Sequence, residues 1–341
     1  MTSMSKDATV AEVEANASAP AGVSSSRKGA KGGKRNKHDA SEVSKDRKIA
    51  SNGSLAPWLF LLPAMVVVIV FFIIPFFNTL RLSFTNATLL NPGHFIGLDN
   101  FRKMFEDDHV KTALLNSSLY VVCIVPCMVF FPLILAALVS GKGKIMGFFR
   151  TSFYMPVVVS TVIVGLIWTN LLDDRGLINS IFKSFHWITK SIPFLTDRWL
   201  LLFSAMIVTI WTGLGYYMVI YLSALANVDP SLYEAAELDG CGPISRFFHV
   251  TMPGVRSTMV LIMLLSSIAA FRVFNEVYVL TGGTAGVGGQ DMTMSILIKR
   301  EGTGLQARTG YTGAISMLMF VILGTLIAIE YIIQRKADKD A

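Results

Sequence analysis

Four acidic side chains are concentrated in one polar interval of an otherwise apolar C-terminal half, at Asp229, Glu234, Glu237 and Asp239. No Lys or Arg lies three or four residues from Glu234, so a helix there would leave its carboxylate without a local partner. Such a carboxylate suits a charge-assisted hydrogen bond to a basic or amide group on another protein. The interval therefore predicts a docking element, and a solvated surface glutamate is the alternative.

The same interval carries the signals of two short helices. Asp229 is a good N-cap, and Pro230 suits the first helical position. Gly240 supplies the stop, for which a left-handed backbone conformation is expected. A second helix can begin at Pro243 and run until Pro253 forbids its simple continuation. We expect a rigid helical hairpin with a glycine hinge.

Motifs for catalysis and nucleotide binding are missing from the sequence. The run Gly141-Lys-Gly-Lys lacks the spacing of a phosphate-binding loop, and neither His-Glu-x-x-His nor Gly-x-Ser-x-Gly occurs. Cys123, Cys127 and Cys241 and the five scattered histidines have no ligand spacing. We predict that the chain is not an enzyme and binds no metal or cofactor of its own. Any uphill work would then draw on a partner or an ion gradient.

Composition indicates a membrane protein, with 52% hydrophobic and 16% charged residues. The net charge of +7 is not a nucleic-acid signature, because 10 of the 30 Lys and Arg lie in the first fifty residues beside six acids. Residues 1–53 are rich in Ala, Ser, Gly and Lys and are predicted to form a disordered basic tail.

Six apolar runs are long enough to cross a bilayer, which takes about 20 residues each. They predict an all-α, polytopic membrane protein with a transmembrane domain over residues 54–336 and a short C-terminus over 337–341. The predicted spans are residues 56–77, 113–139, 152–172, 199–222, 257–280 and 311–333.

The distribution of Lys and Arg predicts the orientation. The basic tail, the loop with Lys142, Lys144 and Arg150, and the basic C-terminus all favour the cytoplasm. Six spans place both termini on that side of the cell membrane. The 223–256 loop is then cytoplasmic too, although acids outnumber bases within it.

Three ionisable residues fall inside the predicted spans. Arg272 and Glu276 are four apart and can pair on one helix face, either for packing or in a pathway. Glu330 lies near a span end and is expected to be solvated. So few intramembrane charges argue against a proton- or sodium-coupled carrier.

Aromatic and amide side chains suggest a route for a polar solute. Phe271, Asn275 and Tyr278 follow i, i+4, i+7 on the fifth span, and Trp211 and Tyr217 mark the fourth. Rings combined with amide or hydroxyl groups suit a sugar, which offers an apolar face and many hydroxyls. Helix packing and interfacial anchoring are the alternatives for each of these residues.

Several blocks resemble the permeases of ATP-binding-cassette (ABC) importers. The sequence Glu234-Ala-Ala, three residues, then Gly240 is similar to their cytoplasmic signature, and Val250-Thr-Met-Pro253 follows with Met in place of Leu. The remaining blocks resemble the sugar-permease branch, of maltose and glycerol-phosphate type. The resemblance covers about residues 55–335, with Thr284-Ala-Gly replacing an expected proline turn. The blocks are Gly97–Phe101, Phe149–Pro156, Gly176–Asn179 and Phe274–Gly283.

The resemblance implies one of two permease subunits that work with a pair of cytoplasmic ATPases and an extracytoplasmic solute-binding protein. ATP would be used by the partner, and a carbohydrate would be the substrate. It also implies the residues that couple the permease to the ATPase, which are Glu234, Ala235, Ala236, Asp239, Gly240 and Pro253.

Two other classes compete with this interpretation. A secondary carrier or channel of six spans with no ATPase is the stronger of them, and an integral membrane enzyme is the weaker because catalytic motifs are missing. Co-purification of an ATPase distinguishes them.

Overall fold

The computed structural model describes residues 56–337, so the predicted tail 1–53 and residues 338–341 of the C-terminus lie outside the described residues. By its contacts the described chain divides into residues 56–65, the first turns of the first helix, and residues 66–337. The described part is helical, with one isolated bridge between Thr85 and Phe95 and no longer strand, which confirms the all-α class. Its helices are Ala56–Val68, Ile74–Ser83, Asp99–Glu106, Asp108–Val139, Lys144–Val158, Thr161–Leu172, Leu177–Ser184, Arg198–Leu225, Pro230–Leu238, Pro243–Arg246, Met252–Gly254, Arg256–Phe271, Asn275–Leu280, Met294–Gly302 and Thr309–Ala337, with π turns Ile69–Ile73 and Phe247–Thr251 and a 3-10 turn Val287–Gly289.

Five helical segments in the described chain are long and apolar enough to cross a membrane. Each has 25 to 32 residues, which at about 1.5 Å per residue exceeds the roughly 30 Å hydrocarbon layer. They correspond to the predicted first, second, fourth, fifth and sixth spans. Their bounds are Pro57–Ser83, Asp108–Val139, Arg198–Leu225, Arg256–Leu280 and Thr309–Arg335.

The third span was predicted as one helix over 152–172, and this shape is wrong. The chain forms two helical pieces, Lys144–Val158 and Thr161–Ser184, which meet at 97°. Val159 has extended backbone angles (φ −77°, ψ 137°) that end the first piece. Pro156 lies inside the last turn of that piece, where its missing N–H and its ring weaken the helix.

Contacts between the second and fourth spans show that the broken segment still crosses the bundle. The hydroxyls of Tyr120 and Thr209 are 3.2 Å apart, and Tyr221 Oη donates to the carbonyl of Val129 at 2.9 Å. Contact positions advance together along both helices, so the two spans run parallel and begin at the same end. An odd number of crossings must separate them, and the broken third span supplies one. Counting the broken segment as one span, the described residues 56–337 contain six candidate membrane crossings.

Arg150 closes the end of the second span. Its Nε donates to the carbonyl of Val139 at 2.8 Å, and its Nη2 donates to the carbonyls of Ser140 and Gly141 at 3.0 and 2.9 Å. These carbonyls accept no hydrogen bond within the helix. A cation at a helix C-terminus also interacts favourably with the negative end of the helix macrodipole. Arg150 therefore fixes the start of the third span against the end of the second.

The fifth span is also broken. Helix Arg256–Phe271 stops, and the chain resumes as Asn275–Leu280 after Phe274 departs from helical angles (φ −139°, ψ −61°). Two hydroxyls from the following segment satisfy the freed backbone: Thr293 Oγ1 donates to the carbonyl of Val273 at 2.9 Å, and Ser295 Oγ to that of Arg272 at 3.0 Å. Hydrogen bonds from the following segment therefore stabilise the break.

Candidate coupling loop and membrane cavity

The polar interval begins as its sequence predicts. Asp229 is extended (φ −61°, ψ 122°), and Pro230 opens the helix Pro230–Leu238. The Asp229 side chain accepts the backbone N–H of Ser231 at 2.9 Å, and this hydrogen bond lowers the pKa of the carboxyl. An ionised carboxylate at this helix start stabilises the helix, because it accepts a free N–H and interacts favourably with the positive end of the macrodipole.

Gly240 ends this helix in the left-handed conformation that was predicted, with φ +76°. Its N–H donates to the carbonyl of Glu237 at 3.0 Å, and the N–H of Cys241 reaches the carbonyl of Ala236 at 2.9 Å. These bonds close the last turn. A Cβ at Gly240 would meet open space, so a larger residue would be opposed by backbone strain alone.

The second helix of the hairpin does not end at Pro253 as expected. It starts at Pro243, widens into the π turn Phe247–Thr251 and continues through Met252–Gly254. The π turn sets a new helical turn in which Pro253 is near the start, where its missing N–H costs little. Val255, with φ −111°, then separates this helix from the fifth span.

Two side-chain contacts join the helices of the hairpin. The hydroxyls of Tyr233 and Thr251 are 3.1 Å apart, and Arg246 Nη1 donates to Glu237 Oε2 at 3.1 Å. The first contact is half-buried and the second is exposed, so the pair of helices is held at two separate points. The hairpin is therefore a stiff unit between the fourth and fifth spans.

The outer surface of this hairpin carries most of the candidate coupling residues. Glu234, Ala235, Asp239 and Gly240 are exposed, and Ala236 is half-buried. Within the described chain, the Glu234 carboxylate has neither an ion pair nor a hydrogen bond. Leu238, which lies beside them, is 90% exposed and offers an apolar surface to a partner. The sequence analysis did not identify this residue. The sequence feature that could have identified it is a leucine placed two residues before Gly240, which ends the helix.

A second candidate site is a cavity of about 380 Å³ between the spans. Both helix breaks open on it, through Val159 of the third span and Phe274 of the fifth. Part of its wall is formed by the fourth span, through Thr209, Thr212 and Tyr216. Irregular backbone at membrane depth is tolerated where it lines such a cavity or is buried in protein.

Of the five predicted pathway residues, Asn275 and Tyr217 line the cavity, and the other three do not. Phe271 is 1% exposed. Tyr278 stacks on Phe274 at 4.9 Å with Lys299 Nζ 3.6 Å from its ring, and Trp211 packs edge-on against Trp168 at 5.8 Å.

The prediction that Phe271, Asn275 and Tyr278 form one stripe on the fifth helix is therefore wrong. The helix ends at Phe271 and restarts at Asn275, so the spacing i, i+4, i+7 does not place these residues on one face. The break also separates Arg272 from Glu276. Both line the cavity, and no salt bridge between them occurs among the described residues.

Glu330 was expected to be solvated, and this is wrong. It is half-buried and accepts the hydroxyl of Ser267 at 2.6 Å through Oε1, whereas its Oε2 is buried without a hydrogen-bond partner. The sixth span packs against the fifth at this level, which turns the carboxylate toward protein. Its position in the sequence, near a helix end, gave no sign of this contact.

Three comparisons with known proteins bear on these sites. The family model described as "Binding-protein-dependent transport system inner membrane component" matches residues 110–338. The probable ABC transporter permease protein YurN of Bacillus subtilis (strain 168) is 34% identical over 278 residues, which is 80% of this chain and 94% of YurN. The lactose transport system permease protein LacF of Rhizobium radiobacter is 30% identical over 281 residues, 82% of this chain and 94% of LacF.

Among solved structures, the chain resembles one from a bacterial ABC transporter involved in the import of the acidic polysaccharide alginate. The TM-score is 0.70 at 20% identity, covering 88% of this chain and 99% of that one. The same fold is matched in that transporter in complex with an alginate pentasaccharide-bound periplasmic protein, again with a TM-score of 0.70. At this identity the likeness establishes the fold alone.

Proposed function

Because this chain belongs to the family of binding-protein-dependent transport system inner membrane components, we propose that it forms half of the membrane pathway of an ABC importer for a carbohydrate. The helix Pro230–Leu238 carries the proposal most directly. This helix, which we call the docking knob, is capped and is joined to the second helix of the hairpin. It exposes Leu238 and the carboxylate of Glu234, which has no ion pair or hydrogen bond within residues 56–337.

The partner for this knob is a cytoplasmic ATPase of the ABC class, one of a pair. Glu234 offers its carboxylate to a basic or amide group, and Leu238 offers an apolar contact beside it. The contacts Tyr233–Thr251 and Glu237–Arg246 would carry a push on the knob into the fifth span. In this proposal the partner hydrolyses ATP, and the hairpin transmits the resulting movement to the spans.

A carbohydrate suits the membrane cavity. The polar side chains that line it include those of Tyr216, Tyr217, Arg272, Asn275 and Glu276. The hydroxyls of Thr209 and Thr212 already donate to helix carbonyls at 3.0 Å. Rings together with mixed donors and acceptors fit a polyol. The names of relatives, such as LacF and the arabinooligosaccharide permease AraP of Bacillus subtilis, support this class.

The remaining partners are a second permease subunit, an extracytoplasmic solute-binding protein and membrane lipid. The exposed apolar faces of the spans suit lipid and the second permease. Both termini would lie in the cytoplasm, as the Lys and Arg distribution indicates.

Co-purification from mildly solubilised membranes tests the proposal. An affinity tag on this chain should recover an ABC ATPase and a second six-span protein. Uptake of a panel of labelled mono- and oligosaccharides should lose at least one member in a strain lacking the chain. Recovery of the chain alone, together with an unchanged uptake panel, would favour a secondary carrier or channel.

A further inference from the structure

A groove of about 1430 Å³ lies beside the coupling hairpin, and we call it the hairpin groove. It shares no lining residue with the membrane cavity described above. Its wall is formed by the end of the second span, the start of the third, the end of the fourth and the hairpin itself. It is larger than pockets for drug-sized ligands, which measure roughly 300 to 1,000 Å³, so it has room for a large molecule.

Much of the wall of the hairpin groove is apolar. Ile134 and Leu138 lie four residues apart on one face of the second span, and they are 45% and 70% exposed. The fourth span adds Leu222 and Leu225, and the hairpin adds Phe248, which is 54% exposed. An apolar surface left open in this way indicates a site for lipid, a ligand or another protein.

Basic side chains line the same groove where the second span ends. Lys142 is exposed and forms no ion pair within residues 56–337. The hydrogen bonds that Arg150 donates go to neutral backbone carbonyls, so its charge is not compensated by an acid. Arg246, the third base of the wall, is paired with Glu237 at 3.1 Å. Two cations in the groove are therefore available to an anion.

The charge of the groove favours an anionic occupant. Among its described lining residues the acid is Glu234, and the 141–150 loop contains no acid. The N-terminal residues of this chain are a poor occupant, because the first fifty carry ten Lys and Arg against six acids. Like charges would repel them from Lys142 and Arg150.

We propose that the hairpin groove binds an anionic phospholipid, with its acyl chains against Ile134 and Leu138 and its phosphate beside Lys142 and Arg150. Apolar walls that end in cations match a molecule whose chains end in an anionic headgroup. The second span has 32 residues, which at about 1.5 Å each exceeds the roughly 30 Å hydrocarbon layer, so its end reaches headgroup level. The distribution of Lys and Arg favours the cytoplasmic leaflet for this end, and that leaflet carries anionic lipid.

A lipid in the groove would leave most of the docking knob open to a partner. Ala235, Leu238 and Asp239 of the knob are not among the residues that line the groove. Tyr233 and Thr251, whose hydroxyls join the two helices of the hairpin, do line it. A bound lipid would therefore brace the hairpin against the second span. This inference goes beyond the proposed function and does not depend on which solute is carried.

Native mass spectrometry tests the site on the full-length chain, purified in mild detergent with the subunits that accompany it. The probes are phosphatidylglycerol, which is anionic, and phosphatidylcholine, which is not, with the same acyl chains. We expect phosphatidylglycerol to bind the wild type with a Kd about fivefold lower or better, since one basic residue near the membrane surface contributes about that factor. Lys142→Gln should remove most of this preference. Lys144→Gln is the matched control, an exposed base of the same loop that does not line the groove, and it should keep the preference.

A second variant tests the groove rather than its charge. Ala226 lines the groove at the end of the fourth span and is exposed, so a larger side chain there can fill space without disturbing the core. Ala226→Phe should weaken the binding of both lipids severalfold. Unchanged binding of both lipids in this variant would place the bound lipid elsewhere and overturn the proposal.

Two further results would contradict the proposal. Equal or absent binding of the two lipids in the wild type would overturn it and leave the groove to a protein partner. Equal losses in Lys142→Gln and Lys144→Gln would also overturn it, because the attraction would then belong to the basic loop as a whole. The proposed function is tested separately, by co-purification and sugar uptake, and none of these lipid measurements bears on it.

Discussion

Val159 and Phe274, the residues at which two membrane helices break, line the same cavity. Backbone groups freed by such breaks cannot be left facing lipid, where each costs several kcal/mol. At the fifth-span break, Thr293 and Ser295 bind the freed carbonyls, and placing both breaks on one cavity keeps the irregular backbone away from lipid. The proposed function therefore rests on two candidate sites, this cavity and the exposed hairpin.

Asn275 is the cavity residue whose loss should be felt by the substrate. Asn275→Leu removes an amide that offers both a donor and an acceptor, and we expect the half-saturation concentration for uptake to rise about fivefold or more, from a hydrogen bond worth about 1 kcal/mol. Trp211→Phe is the control, because Trp211 packs on Trp168 away from the cavity. Equal uptake kinetics in the two variants would make Asn275 a packing residue.

Gly215 should be required for the contact between the third and fourth spans. A Cβ there would overlap the carbonyl oxygen of Phe153, part of a backbone that cannot move aside like a flexible side chain. Gly215→Ala should destabilise the protein by about 2 kcal/mol and lower its melting temperature in detergent. Gly324→Ala is the matched control, since nothing lies within 4 Å of its added Cβ. Similar melting of both variants would refute this packing.

Sidedness can be tested at two exposed positions in a background without Cys123, Cys127 and Cys241. Val287 is 71% exposed and lies in residues 281–293, which we call the glycine loop. Ile244 in the hairpin is 76% exposed. An impermeant thiol reagent added outside intact cells should label Val287→Cys and leave Ile244→Cys unlabelled. The reverse pattern would invert the topology derived from the basic residues.

Sequence reasoning predicted the elements that local chemistry determines. The Asp229 cap, the left-handed Gly240 and the apolar spans depend on residues within a few positions of one another. The break in the fifth span could not be found in this way, because Thr293 stabilises the carbonyl of Val273 from 20 residues away. Glu330 was misjudged for the same reason, since its partner Ser267 lies 63 residues earlier.

The glycine loop shows a related limit. It is rich in glycine, and nothing in the local sequence marks Asp291 within it as buried. The structure buries Asp291 because Asn116 binds the carbonyls on both sides of it. Contacts over 174 and 176 residues leave no pattern in the local sequence.

Glu234 tests the central claim, that the hairpin couples the membrane pathway to an ATPase. The measurement is sugar-stimulated ATP hydrolysis by the purified transporter in lipid vesicles, with sugar uptake followed in parallel. Glu234→Lys reverses the charge of the exposed knob without touching a span, so insertion should be normal, whereas docking, hydrolysis and uptake should fall together. Glu106→Lys is the control, an exposed acid whose local partner is Arg102. The account predicts at least a tenfold loss in Glu234→Lys, roughly 1.4 kcal/mol of docking, and little change in Glu106→Lys. Wild-type hydrolysis and uptake in Glu234→Lys would contradict it.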